Sequence, residues 1–266
     1  AHWLEYAAPQ VLLVDAWYSR LSLSVVLAAR RRGLQVVDVQ HGSQGKNHYA
    51  YSMWQHARLE RSQVFPTHFW TWGEDVSDEL MTNNPGVFSD RQVLTGGNLW
   101  LNRWRDGCHS CSETEGLRQL KSMLEHAVLV VLLTLQRGMP FERDVENMQK
   151  ACPNGTVVLV RTHRQMSAPE LEAAHNLVRT HRGSIESRLS SALPLYAIFP
   201  LADLHCTWSS TCSLEALAFG KPTVLLHVLG VSRYSRYVEN GAMADGTDER
   251  SLSDAVRTCR SPDVKA

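Results

Sequence analysis

The sequence predicts an α/β protein with two doubly wound parallel sheets, and three observations carry that expectation. A strand, helix, strand unit opens the chain. The same alternation restarts at Ala127 after a polar stretch. The apolar runs, such as Ala127 to Leu133 and Thr223 to Leu226, have the length of strands buried on both faces. A doubly wound chain of 266 residues usually divides into two Rossmann-like lobes. We place them at residues 1–112 and 113–266.

Gln10 to Asp15 is a strand and Leu21 to Arg32 a helix, with apolar residues three and four apart. Gly33 stops the helix, and Leu34 to Val39 is the second strand. Such a unit crosses over right-handed and makes a parallel sheet, whose ligands gather beyond the carboxyl ends of the strands. Gln40-His41-Gly42 stands at that place. A polar and aromatic loop follows from Ser43 to Arg61, then a short strand at Phe69 to Gly73, a helix at Glu74 to Met81 and a strand at Gln92 to Thr95 that ends in Gly96-Gly97. The stretch from Asn98 to Glu125 holds the linker and an amphipathic helix leading into the second lobe. There the strands are Val128 to Thr134, Thr156 to Val160, Asp203 to Thr207 and Thr223 to Leu226.

Twenty-seven basic and 27 acidic side chains balance, so the chain lacks the basic excess of a protein built to grip nucleic acid. Its apolar runs fall far short of a bilayer span. Beginning at Ala1 with neither an initiator Met nor an apolar signal core, the sequence reads as an excised piece. Six scattered cysteines suit free thiols in a reducing cytoplasm. Cys108-His109-Ser110-Cys111 has the spacing of half a zinc site, but no second pair follows at a usual distance, so a polar surface loop is expected there.

The densest chemistry lies in Trp208 to Pro222, which follows a strand and opens a helix. Ser209, Ser210 and Thr211 put hydroxyls and backbone N–H groups at the positive end of a helix dipole, where phosphate is favoured. Glu215, further along the helix, can accept hydrogen bonds from two ribose hydroxyls, and Gly220 ends the helix. An ordinary hydroxyl N-cap with a solvated glutamate is the plainer alternative. Arg161-Thr162-His163 closes another strand, and Leu133-Thr134-Leu135-Gln136 closes the first strand of the second lobe. His41 titrates near neutrality and could take a proton from an attacking hydroxyl, or it could be structural.

The Ser209-Ser210-Thr211 turn, Glu215 and Gly220-Lys221-Pro222 resemble the donor-nucleotide element of GT-B glycosyltransferases and of the non-hydrolysing UDP-GlcNAc 2-epimerases. The resemblance implies phosphate binding at Ser209, Ser210 and Thr211, and ribose binding at Glu215. The order of Arg161 and His163 before a Ser-Ser element is similar to that in bacterial sialyltransferases, Kdo transferases and CDP-glycerol transferases, which hold cytidine nucleotides; here Arg164 stands where those families have Pro. Gln136 is expected to touch donor phosphate by its place in the GT-B scheme. The stretch from Val37 to Gly97 resembles a capsule and surface-polysaccharide biosynthesis group through Gln40-His41-Gly42, His48-Tyr49-Ala50-Tyr51, Pro66-Thr67-His68-Phe69, Trp72-Gly73-Glu74 and Gly96-Gly97-Asn98. By likeness to the CDP-glycerol transferases, His41 is the catalytic base, with Gln40 and Gly42 forming its turn on the acceptor side.

The resemblance therefore implies a cytoplasmic, metal-independent GT-B glycosyltransferase whose N-terminal lobe reads as truncated. It would use a CMP-, CDP- or UDP-linked donor and a glycan or lipid-linked acceptor, with peripheral contact at the inner membrane face where that acceptor is lipid-linked. No cofactor, metal or nucleic-acid partner is implied, in keeping with the lack of an Asp-x-Asp motif. A nucleotide-sugar 2-epimerase and a non-catalytic nucleotide-sugar-binding lobe are the alternatives.

Overall fold

The computed structural model describes residues 2–46, 48–52, 62–89, 91–107, 114–180 and 184–259. The Cys108-His109-Ser110-Cys111 segment and much of the Ser43 to Arg61 loop lie outside the described residues. The chain forms two compact units, Ala1–Asn102 and Arg103–Ala266. The division thus falls inside a helix, Leu99–Arg105, ten residues before the place read from composition.

In the first unit, helix α1 (His2–Ala7) precedes β1 (Val11–Val14), α2 (Arg20–Arg30), β2 (Gln35–Val39), β3 (His68–Thr71), α3 (Glu74–Asn83), β4 (Val93–Thr95) and α4 (Leu99–Arg105). The four strands pair in the order β1-β2-β3-β4, all parallel. The Ser19 hydroxyl caps α2 by accepting from the Ser22 N–H, and Gly33, at φ +73°, takes the left-handed turn that releases the chain into β2. Leu12, Val26, Ala29 and Val36 pack together with Leu4, covering one face of β1 and β2. The Gly96-Gly97 pair has a steric cause. The Trp70 ring lies so close that a Cβ on Gly96 would come within 2.0 Å of it, while its Nε1 donates to the Gly97 carbonyl at 2.9 Å.

The second unit contains α5 (Glu115–Leu124), β5 (Leu129–Thr134), α6 (Phe141–Ala151), β6 (Thr156–Arg161), α7 (Ala168–Thr180), β7 (Ile185–Glu186), α8 (Arg188–Ala192) and α9 (Leu195–Ile198). A 3-10 turn at Phe199–Leu201 leads to β8 (Leu204–Thr207), α10 (Cys212–Ala218), β9 (Thr223–Leu225), α11 (Val228–Arg233), α12 (Ser235–Glu239), β10 (Met243–Asp245) and α13 (Glu249–Cys259). The sheet order is β10-β9-β8-β5-β6-β7, all parallel. Counted within the unit this is 3-2-1-4-5-6, the doubly wound dinucleotide-binding order, with its reversal between β5 and β8.

All six residues of β5 are buried, as a central parallel strand requires. Leu129, Val131 and Leu133 join one apolar cluster with Val145 and Met148 of α6 and Val256 of α13. Val130 and Leu132 point the other way, to Leu120 of α5, Leu189 of α8 and Ala216 of α10. Period-two alternation thus binds a helix layer to each face. Two strands went unread in the sequence, β7 and β10, whose two and three residues are too short to make an apolar run.

Candidate functional site

The reversal point between β5 and β8 is where an open α/β sheet splays its connections apart and leaves a crevice beyond the strand ends. Gln136 and Ser209 each stand two residues past their strand and meet there. The Ser209 N–H donates to Gln136 Oε1 at 2.7 Å, and Gln136 Nε2 lies 3.5 Å from Ser209 Oγ. Gln136 therefore ties the turn to the neighbouring strand.

The turn is clamped from the other side as well. Arg233 Nη1 donates to the Ser209 carbonyl at 2.9 Å, and the Tyr234 hydroxyl donates to the Ser210 carbonyl at 3.0 Å. With both carbonyls held, the Ser210 N–H has no partner among the described residues. Trp208 is fixed by its Nε1 donating to Asp144 Oδ2 at 2.8 Å and by stacking on His227, with ring centroids 4.3 Å apart. Gly230 passes beneath it, and a Cβ there would lie 1.9 Å from the Trp208 carbonyl oxygen.

The local order differs from the sequence expectation at the helix start. Helix α10 begins at Cys212 with Thr211 as its N-cap, so Ser209 and Ser210 belong to the loop before it; the Ser210 hydroxyl accepts from the Cys212 N–H at 3.2 Å. Glu215 lies in the first turn of the helix. Its Oε1 accepts from the Tyr196 hydroxyl. Burial raises the Glu215 pKa, and the hydrogen bonds from Tyr196 and Cys212 and the charge of Arg161 pull against that rise. It is a half-sheltered carboxylate with a fixed orientation, not the solvated glutamate of the plainer alternative.

Arg161 and His163 direct their side-chain hydrogen bonds elsewhere than to this turn. Arg161 Nη1 donates to the carbonyls of Ser190 and Leu193 at 2.6 and 2.7 Å, closing the α8 end against β6. Burial depresses its pKa, while the charge of Glu215 supports the guanidinium. His163 is exposed, and its Nδ1 accepts from the Gln165 N–H at 3.2 Å. Beneath the reversal point runs a polar chain. Thr134 Oγ1 lies 2.9 Å from His205 Nε2, and His205 Nδ1 lies 3.2 Å from Thr223 Oγ1. His205 is fully buried, which drops its pKa to about 3 and keeps it neutral.

In the first unit the buried Gln40 side chain forms the predicted turn. Its Nε2 donates to the Gly42 carbonyl at 2.9 Å, and its Oε1 accepts from the Trp72 N–H at 2.7 Å. His41, between them, is exposed. Its Nδ1 lies 3.4 Å from the Ala16 N–H and its Nε2 3.5 Å from the Tyr18 hydroxyl. Desolvation lowers its pKa, against the pull of Asp15, so the ring is neutral and able to accept a proton near pH 7. A proton taken at Nε2 requires the ring hydrogen on Nδ1 and release of the Ala16 contact.

Asp38, which the sequence reading passed over, is wholly buried one strand position before this turn is reached. Its oxygens accept from the Tyr51 hydroxyl at 2.8 Å and the Trp17 N–H at 3.2 Å. Burial pushes its pKa up to about 7 in spite of those bonds. The available signal was a carboxylate inside an apolar strand run, which has to find donors. Arg233, Tyr234 and Asp144 had no local signal, because their partners are 24 to 64 residues away.

Solved structures share this architecture. A UDP-N-acetylglucosamine 2-epimerase matches with a TM-score of 0.67 at 17% identity, over 99% of this chain and 67% of that one. HepE of Anabaena, in complex with UDP and glucose, matches with a TM-score of 0.57 at 14% identity, over 99% and 72%. The wall teichoic acid polymerase TagF matches with a TM-score of 0.50 at 11% identity, over 84% and 59%. The chain thus spans roughly two thirds of the length of these proteins. No protein-family model and no curated protein matches the sequence. The fold is α/β with two Rossmann-like, parallel-sheet units of the GT-B kind.

Proposed function

We propose that the chain is a glycosyltransferase that takes a sugar or sugar acid from a nucleotide-linked donor and passes it to a hydroxyl of a glycan or glycolipid in surface-polysaccharide assembly. The observation that carries this reading is the clamped Ser209-Ser210 turn at the reversal point of the second sheet, with the Ser210 N–H left without a partner among the described residues and Glu215 oriented by Tyr196 in the helix that follows. Backbone N–H groups and hydroxyls there would hold the diphosphate or phosphodiester, and Glu215 the ribose. Arg161 supports Glu215 through its charge, and the exposed His163 stands at the same strand end as a candidate group for donor phosphate.

In this reading His41 takes the proton of the acceptor hydroxyl while the hydroxyl oxygen attacks the anomeric carbon. The bond to the nucleotide phosphate breaks, its electron pair leaves on phosphate oxygen, and configuration inverts. Helix-end N–H groups offset the leaving-group charge, so no divalent metal is called for. HepE and TagF share this fold, and so does the epimerase with a higher TM-score, so the likeness supports a nucleotide-sugar ligand while the choice of transfer rests on the His41 turn.

The test is incubation with CMP-, CDP-, UDP- and GDP-linked donors and candidate acceptors, reading nucleotide release and product. Transfer supports the proposal, donor isomerisation would make the chain an epimerase, and binding without turnover a non-catalytic lobe. Ser210→Ala and Glu215→Ala should each weaken donor binding; unchanged affinity in both would move the nucleotide site elsewhere.

A further inference from the structure

The His48-Tyr49-Ala50-Tyr51 run plays no part in the chemistry above, yet it builds a surface. Tyr49 is 75% exposed and lies flat against His48, with ring centroids 5.2 Å apart and planes 18° apart. Tyr18 meets Tyr49 edge-on at 5.3 Å. The Tyr18 hydroxyl lies 3.4 Å from His48 Nε2 and 3.5 Å from His41 Nε2. Below them Tyr51 is fully buried, packed edge-on against Tyr18 and anchored by its hydroxyl on Asp38.

We infer that Tyr49, held by His48 and Tyr18, is a stacking platform for a pyranose ring, and that it seats the acceptor sugar beside His41. A ring braced on its back and its edge cannot turn away from water, so its outer face is ordered in advance for a flat apolar partner. The rim is different in kind. The Tyr18 hydroxyl and the imidazoles it meets, His48 of the stack and His41, offer donors and acceptors that an aliphatic peptide would leave unmatched. A pyranose supplies both halves, with C–H groups on its face and hydroxyls at its edge. The place is also right for a ligand, since these residues follow β1 and β2 on the carboxyl side of a parallel sheet. The identification of the sugar as the acceptor rests on the transferase reading; the platform itself rests on this geometry.

Saturation-transfer NMR with cellotetraose, whose rings present C–H groups on both faces, tests the platform without donor or turnover. The intact chain should pass magnetisation to the glucosyl C–H protons, Tyr49→Ala should lose it and Tyr49→Phe should keep it, since stacking needs the ring and not the hydroxyl. No transfer to the unaltered protein, or equal transfer to Tyr49→Ala, would overturn the platform. In the transfer assay Tyr49→Ala should raise the acceptor KM about three- to tenfold, with donor KM unchanged. Saturation transfer in a chain that moves no sugar would defeat the transferase reading and leave the platform standing.

Discussion

Arg161 holds two carbonyls with one nitrogen, and that geometry decides what its loss would do. Arg161→Ala leaves the Ser190 and Leu193 oxygens short of a donor in a part-buried setting, at a cost of about 1–3 kcal/mol. A unit of this size should then melt several degrees lower, which a thermal scan reads. Full thermal stability with lost donor binding would instead make Arg161 a ligand group. Glu215 is the contrasting residue, oriented by Tyr196 and, in the proposed function, the partner of the ribose. Glu215→Gln keeps the shape and removes the charge, so a ribonucleotide should bind roughly 10- to 100-fold more weakly, the range for one charge-assisted hydrogen bond. The matching 2′-deoxynucleotide should lose much less. Calorimetry with CDP, UDP and their deoxy forms makes the comparison, and equal losses would sink the ribose assignment.

Among the elements, α11 packs against the donor-side turn so closely that one glycine sets the distance. A Cβ on Gly230 would meet the Trp208 carbonyl oxygen at 1.9 Å, whereas Gly220, at φ +66°, has nothing within 4 Å of where its Cβ would lie. Gly220→Ala should cost about 1 kcal/mol of backbone strain and leave nucleotide affinity intact. Gly230→Ala must push the Trp208-Ser209 turn out of place, so it should weaken nucleotide binding as well as stability. If the two variants bind UDP and CDP alike, the turn is not the site. The same elements show what the sequence could and could not reveal. Strands β5 and β6 were legible because each has an apolar run through its buried middle, and the Gln40-His41-Gly42 turn was legible as the residues beyond such a strand. Helix α10 starts only after Thr211, whose side chain makes no capping bond, and the Ser209 N–H is held by Gln136, a partner 73 residues away that no local pattern encodes. At Arg161 the sequence shows a basic residue at a strand end, and that pattern is the same whether the group serves a ligand or holds the α8 carbonyls.

At the scale of the whole chain, each unit has its own core and its own share of the proposed chemistry. The proposed donor-binding residues belong to Arg103–Ala266 and the proposed base to Ala1–Asn102. His41→Ala should therefore lower kcat about 10²- to 10⁴-fold while donor affinity stays put; full activity would remove His41 from the mechanism. The two units also carry buried groups of opposite acid response. Asp38 holds its proton up to about pH 7 when folded, against an ordinary value of 3.8, so between those limits the folded unit binds more protons than the unfolded chain. Acidification from pH 7 toward 4 then stabilises the first unit, by up to about 1.4 kcal/mol per pH unit, and the gain is lost as pH rises through 7. His205 runs the other way. Its folded pKa of about 3 lies below the ordinary 6.5, so the unfolded chain binds the extra proton, and its contribution is present above 6.5 and falls as pH drops toward 3. Amide-exchange protection should accordingly rise in β2 and fall in β8 as pH goes from 7 to 5. Asp38→Asn should flatten the first trend and His205→Gln the second, each leaving the other in place. Parallel slopes in both strands, or a single variant that flattens both, would mean that the units do not respond to acid separately.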